Sequence, residues 1–125
     1  MTQEEKGLLL KDLSARLPYE VVIQEYNEEY GYSDNVLNNI ERGYFSVHEP
    51  AIVGTWINRI ENVRPYLRPM SSMTKEEKIL FNQLLNDGAF YEVEDFCNQR
   101  HLDYRGLIPK GLAIEVTEDN NPYKK

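Results

Sequence analysis

The stretch Arg64-Pro65-Tyr66-Leu67-Arg68-Pro69 restricts the fold more than any other part of the sequence. Each proline fixes its own φ, removes a backbone donor and pushes the preceding residue out of the helical region. Two prolines four apart therefore forbid a regular helix in the middle of the chain and impose an extended strap. Beyond the strap, Met70 to Met73 reads as a short connector. Thr74 and Glu77 then form a capping box, which predicts a helix through about Leu85. Asn86-Asp87-Gly88 is its stop. Val93, Phe96, Cys97 and His101 trace the face of a third helix. Leu107 to Gly111 reads as a loop and Leu112 to Val116 as a last short strand. The polar stretch 117–125 is expected to fray.

Before the strap, Thr2 and Glu5 make another capping box, and Leu10, Leu13 and Leu17 share one helical face. Pro18 ends that helix, so it spans roughly residues 3–16. Tyr19, Val21 and Ile23 alternate with Glu20, Val22 and Gln24, the pattern of a strand. Asn27 to Gly31 is turn material. In Ser33 to Arg42, Val36, Leu37 and Ile40 fit a helical spacing. The asparagines at 35, 38 and 39 and the extended neighbours favour a second strand. Gly43 and Pro50 separate two more β-like runs, Tyr44–His48 and Ile52–Ile57, with Gly54 inside the second marking a bulge or a close backbone contact. Strands grouped between helices, without βαβ alternation, predict an α+β protein. It should have an N-terminal helix, a small curled antiparallel sheet or barrel, with an SH3-like barrel as one option, then two helices and a short C-terminal strand. At 125 residues it should be one domain, with helix and barrel in 1–69 and a mainly helical part in 70–125.

Charge and cysteine content exclude several classes of function. The formal net charge is −7. Seven basic residues face eleven acidic ones through Met70, and seven face ten after it, so the acidity is spread along the chain. Such a surface repels phosphate backbones and anionic membranes, and it argues against nucleic acid as a partner. Cys97 is the single cysteine, so there is neither an intramolecular disulfide nor a four-cysteine metal site. That suits a reducing cytoplasm. The run Leu8-Leu9-Leu10 is too short for a signal peptide, and no stretch has the length of a membrane span. The reading is a soluble cytoplasmic protein.

Val63 to Thr74, read as Val63-Arg64-Pro65-Tyr66-Leu67-Arg68-Pro69-Met70-Ser71-Ser72-Met73-Thr74, resembles a motif of the type KPYLRPMSSMT. It occurs in a family of small uncharacterised proteins of gut bacteria and their prophages, where an acidic helix follows it, as Lys75-Glu76-Glu77-Lys78 does here. The opening Met1–Lys6 with Leu8–Leu13 and Leu17-Pro18-Tyr19, and the stretch Asp103–Ala113, are also similar. The segment between Glu20 and Asn62 departs from the pattern. The resemblance implies a phage or mobile-element origin. It carries no activity, cofactor or catalytic residue.

The chemical constellations are thin. Cys97 and His101, four apart on one predicted helix, are two candidate metal ligands, with Asp103 as a third and His48 as a distant fourth. Two ligands do not close a site, so a packed thiol beside a histidine at a helix end is the better reading. Catalysis by Cys97 needs an exposed thiolate, whereas its neighbours Val93 and Phe96 place it on an apolar face. The pairs Glu4-Glu5, Glu28-Glu29, Glu76-Glu77 and Glu94-Asp95 are adjacent in sequence and do not face one another on a helix. No phosphate-cradling glycine loop or hydrolase elbow is present. The sequence thus predicts no enzyme, no metal and no cofactor. The nine tyrosines are the one compositional excess. Tyr26, Tyr30, Tyr32 and Tyr44 are interleaved with acidic residues, which suits core or protein contact better than base stacking.

The leading functional reading is a non-catalytic protein-interaction or structural accessory module. The alternatives are a small-barrel protein that associates with nucleic acid through Arg59, Arg64 and Arg68, and an acidic DNA mimic. In an extended strap, residues two apart share a side. Arg64, Tyr66 and Arg68 should therefore face outward and Pro65, Leu67 and Pro69 inward. Arg64 and Arg68 are the candidate contacts for an acidic group of a protein partner.

Overall fold

The computed structural model describes residues 1–29, 31–41, 44–48 and 55–124, with side chains described outside 27 and 38–59. Gly43, Pro50, Gly54 and Tyr30 lie outside the described residues. So do the side chains of Tyr44, His48 and Arg59.

Helix α1 spans Gln3–Arg16 and carries the Thr2/Glu5 capping box. Thr2 Oγ1 accepts from the Glu5 amide at 3.0 Å, and Glu5 Oε1 accepts from the Thr2 amide at 2.8 Å. Pro18 converts the chain to a 3-10 turn at Leu17–Tyr19. Glu20 then turns through a left-handed φ of 55°. The first strand, β1, consequently spans Val22–Asn27 and leaves out Tyr19. β2 (Gly31–Glu41) is extended through its asparagines, because pairing on both sides outweighs their local preference. β3 (Tyr44–His48) and β4 (Thr55–Arg59) complete a meander. After a 3-10 turn at Ile60–Asn62, the strap becomes β5 (Val63–Leu67), antiparallel to β1. β6 (Ile114–Glu115) runs parallel to β5. The strand order is β4-β3-β2-β1-β5-β6.

The sheet curls strongly. Arg59 is level with Glu41 through Tyr44, whereas Val63 is level with Ser33 through Glu25. On a flat sheet those levels lie about 27 Å apart along β2 alone. The four residue steps from Arg59 to Val63 reach about 14 Å at most. The sheet must bend within β2, where the register shifts between Leu37 and Asn39. The architecture is α+β as expected: an N-terminal helix, a small curled sheet, two further helices and a short C-terminal strand. Among the described residues no pairing joins β4 to β5 or β6, so the sheet is open and not a closed SH3-like barrel. It is also mixed, because β6 pairs in parallel.

α1 lays Leu9 and Leu13 against the inner face of the sheet. There Val21, Ile23, Leu37, Val63 and Leu67 are buried, and Leu107, Leu112 and Ala113 close the core. Helices α2 (Lys75–Asn86) and α3 (Phe90–Gln99) form a hairpin turned at Gly88, whose φ is 68°. The Thr74/Glu77 capping box opens α2 as expected. The hairpin packs on a second, smaller cluster of Phe96, Cys97 and Leu102.

The tail is tied to the sheet through Tyr123. The Tyr123 hydroxyl donates to the Tyr66 carbonyl at 2.8 Å and accepts from the Val22 amide at 3.0 Å. Its ring stacks on His101 with centroids 3.8 Å apart. Asn120 closes a turn, accepting from the Thr117 amide at 2.6 Å and donating to the Glu115 carbonyl. Polar composition suggested fraying, but one aromatic anchor with two backbone bonds holds the segment down.

Candidate docking surface

The alternation of β1, β2 and β5 builds the site. Val22, Gln24 and Tyr26 stand opposite Val36, Asp34 and Tyr32, and Arg64 stands opposite Gln24. All lie on the face of the sheet turned away from α1, because Val21, Ile23, Val63 and Leu67 occupy the inner one. Tyr26 and Tyr32 pair across the strands with ring centroids 5.1 Å apart. They remain 40% and 66% exposed, and Val36, four residues from Tyr32 along β2 on the same face, is 40% exposed. Arg64 is exposed and donates to Gln24 Oε1 at 3.2 Å.

Towards the tail this face deepens into a polar notch of about 230 Å³ between Asp34, Tyr66 and residues 119–122. The Tyr66 hydroxyl donates to Asp34 Oδ1 at 2.8 Å. Burial, followed by the Asp34 carboxylate, pushes the Tyr66 phenol up to about 12, so it stays a donor at neutral pH.

The two arginines of the strap have different roles. Leu67 points into the core as expected, and Arg64 faces outward. Arg68 lies beyond the end of β5 and holds Glu77 in a two-pronged ion pair of 2.7 and 3.1 Å. It also donates to Ser72 Oγ and to the Ser72 carbonyl. Glu77 in turn accepts from the Thr74 amide. The Arg68 hydrogen bonds and the capping contacts pull the Glu77 carboxyl down to about 2. Arg68 is thus a strut between strap and α2, while Arg64 stays at the surface.

The Cys97/His101 pair dissolves as a site. Cys97 is fully buried, and desolvation pushes its thiol up to about 11, the opposite of an activated thiolate. His101 is not on helix α3, which ends at Gln99; it sits in the following turn with a left-handed φ of 59°. Burial, with Arg16 and Arg68 nearby, lowers it to about 4. It is therefore neutral at physiological pH, and its place in the turn corrects the expected position on the third helix. Asp103 is occupied by the Leu107 and Ile108 amides at 2.8 and 2.9 Å. Among the described residues no three His, Cys, Asp or Glu side chains are placed to hold a metal.

A buried ion network carries much of the tertiary linkage, and pattern reading passed over it. Asp12 and Arg16 are both fully buried on α1 and pair at 2.8 Å. Arg16 donates to the Leu102 carbonyl at 2.6 Å, and Arg105 reaches Asp12 Oδ1 at 2.9 Å. The available signal was an opposite-charge pair at i,i+4 beside Leu9 and Leu13.

No helix among the described residues is long and apolar enough to cross a membrane. Compared with known protein families, curated proteins and solved structures, the chain matches none.

Proposed function

We propose that the chain is a non-catalytic protein-interaction module that docks a partner protein on the outer face of β1, β2 and β5. The observation that carries this reading is the exposed Tyr26/Tyr32 pair, its rings in tilted contact, with Val36 and Arg64 on the same open face. Tyrosine and arginine are enriched at interfaces because they combine apolar area with directed polar contacts. Arg64 would meet an acidic group of the partner at the edge of the aromatic patch. The resemblance of the Val63–Thr74 motif to prophage proteins supports an accessory role on a mobile element.

The nucleic-acid alternative loses support because Arg68, one of its three arginines, is bound to Glu77. A DNA mimic needs regular rows of carboxylates, whereas the exposed sheet face displays tyrosines. Cross-linking in a lysate of the source organism tests the proposal. A protein captured by the wild type, and lost with Tyr32→Ala/Arg64→Ala while Lys110→Ala retains it, supports the reading. Capture that is indifferent to the sheet-face variant overturns it.

A further inference from the structure

The α2–α3 hairpin presents a second surface of different chemistry. No residue of α2 is buried, although the helix carries Ile79, Leu80, Phe81, Leu84 and Leu85. Phe81 packs on Phe96 with ring centroids 6.0 Å apart, and Leu84 packs on the same small cluster. Leu80, one turn before Leu84, stays 41% exposed. Leu80 and Leu84, with Phe96 beneath them, line an open cleft of about 320 Å³. Glu92, Asp95 and Gln99 of α3 form one wall, and Arg100 closes the end.

The charges along this cleft point one way. The Arg100 guanidinium lies 3.9 Å over the Phe96 ring, donates to the Phe96 carbonyl and reaches Glu77 at 3.5 Å. It is therefore committed to the hairpin. Glu92 and Asp95 make no ion pair among the described residues. From Lys75 to Gln99 the sequence holds two basic residues, Lys75 and Lys78, against six acidic ones. An apolar floor beside an unneutralised acidic wall fits a helix with one apolar stripe and flanking cations. A second copy of this chain fits poorly, because a two-fold interface would set the acidic wall against itself. The remaining helix of the chain, α1, already spends its apolar residues on the core.

We infer that the α2–α3 cleft is a docking groove for a basic amphipathic helix of a partner protein. Apolar side chains at i and i+3 or i+4 of that helix lie between Leu80, Leu84 and Phe96, and its lysines or arginines meet Glu92 and Asp95. The groove is separate from the outer sheet face and stands whether or not that face binds.

The probe is a fluorescein-labelled amphipathic peptide of Leu and Lys at helical spacing, read by anisotropy against the full chain at physiological salt. A Leu/Glu peptide of the same pattern is its control. Binding of the Leu/Lys peptide is expected, with the Leu/Glu peptide at least about tenfold weaker. Glu92→Lys/Asp95→Lys should weaken the Leu/Lys peptide at least about tenfold, and Glu28→Lys/Glu118→Lys, an equal charge change elsewhere, by less than about twofold. Leu80→Ser should weaken it with no charge change; Leu80 is exposed, so the fold survives, as circular dichroism would confirm. Absence of peptide binding overturns the inference. So do equal losses from the two charge-reversal variants, which mean diffuse attraction to an acidic protein. Indifference to Leu80→Ser, or a dimer in sedimentation that Leu80→Ser dissolves, likewise overturns it.

Discussion

The two hydrophobic clusters of the molecule are built on opposite principles. Around α1, β1 and β5 the apolar residues are fully enclosed, and even the ions are buried: Asp12 and Arg16 have no exposed surface. At the α2–α3 hairpin the buried nucleus among the described residues is Phe96 and Cys97 of α3 with Leu102 beyond its end, and α2 buries none of its residues. The same residue types, leucine above all, serve enclosure in one region and display in the other. Stability should therefore reside in the first region and recognition in the second and on the outer sheet face.

The largest test of that division is Asp12→Ala. It strands the buried Arg16 without its carboxylate and removes the anchor of Arg105, which should cost about 3–5 kcal/mol in urea denaturation. A loss below about 1 kcal/mol would show that the network is dispensable. Next comes a matched pair of leucines. Leu67→Ala should cost about 2–5 kcal/mol, because it opens a cavity in the closed cluster. Leu80→Ala should stay within about 0.5 kcal/mol. Similar costs at both positions would erase the distinction.

A smaller effect concerns the latch between tail and sheet. Tyr123→Phe keeps the His101 stack but leaves the Val22 amide and the Tyr66 carbonyl without their partner. The expected loss is about 1–2 kcal/mol, with faster hydrogen exchange confined to the tail and the adjoining strand ends.

Acid should act on two contacts in separate windows. His101 is lowered to about 4 from 6.5 in the unfolded chain, so the unfolded state takes up the proton first. Stability then falls as pH drops from about 6.5 to about 4, and His101→Asn, which tolerates the left-handed φ, should flatten that window. Glu77 is lowered to about 2 from 4.5, so its contribution is present above 4.5 and is lost as pH falls towards 2. Glu77→Gln should flatten the lower window. Urea midpoints across pH 7 to 2 separate the two.

The smallest effect is Arg64→Ala, within about 0.5 kcal/mol, because the exposed side chain only grips Gln24. Arg68→Ala should cost more, about 1–2 kcal/mol, since it frees Glu77 from its main partner. Equal melting temperatures for the two variants would return Arg68 to the surface role that its spacing suggests.

Local chemistry alone determined the ends of α1, the start of α2 and the extended strap. Capping boxes, Pro18 and the Pro65/Pro69 pair act within a few residues, so no distant contact is needed to read them. The inward turn of Leu67 also followed from strand alternation. The fate of Arg68 did not, because Glu77 and Ser72 reach it only once the connector has folded back. The same holds for His101, which leaves the helix by a left-handed turn and becomes neutral between buried neighbours. Nothing local marks Asp12 and Arg16 for burial; they are enclosed because α1 is pressed against the loop at Leu102 and Arg105. The tail appeared free because composition carries no trace of one tyrosine reaching two backbone groups on other strands. Charge state, burial and partner choice at long sequence separation depend on which elements pack together, and only the tertiary structure decided them.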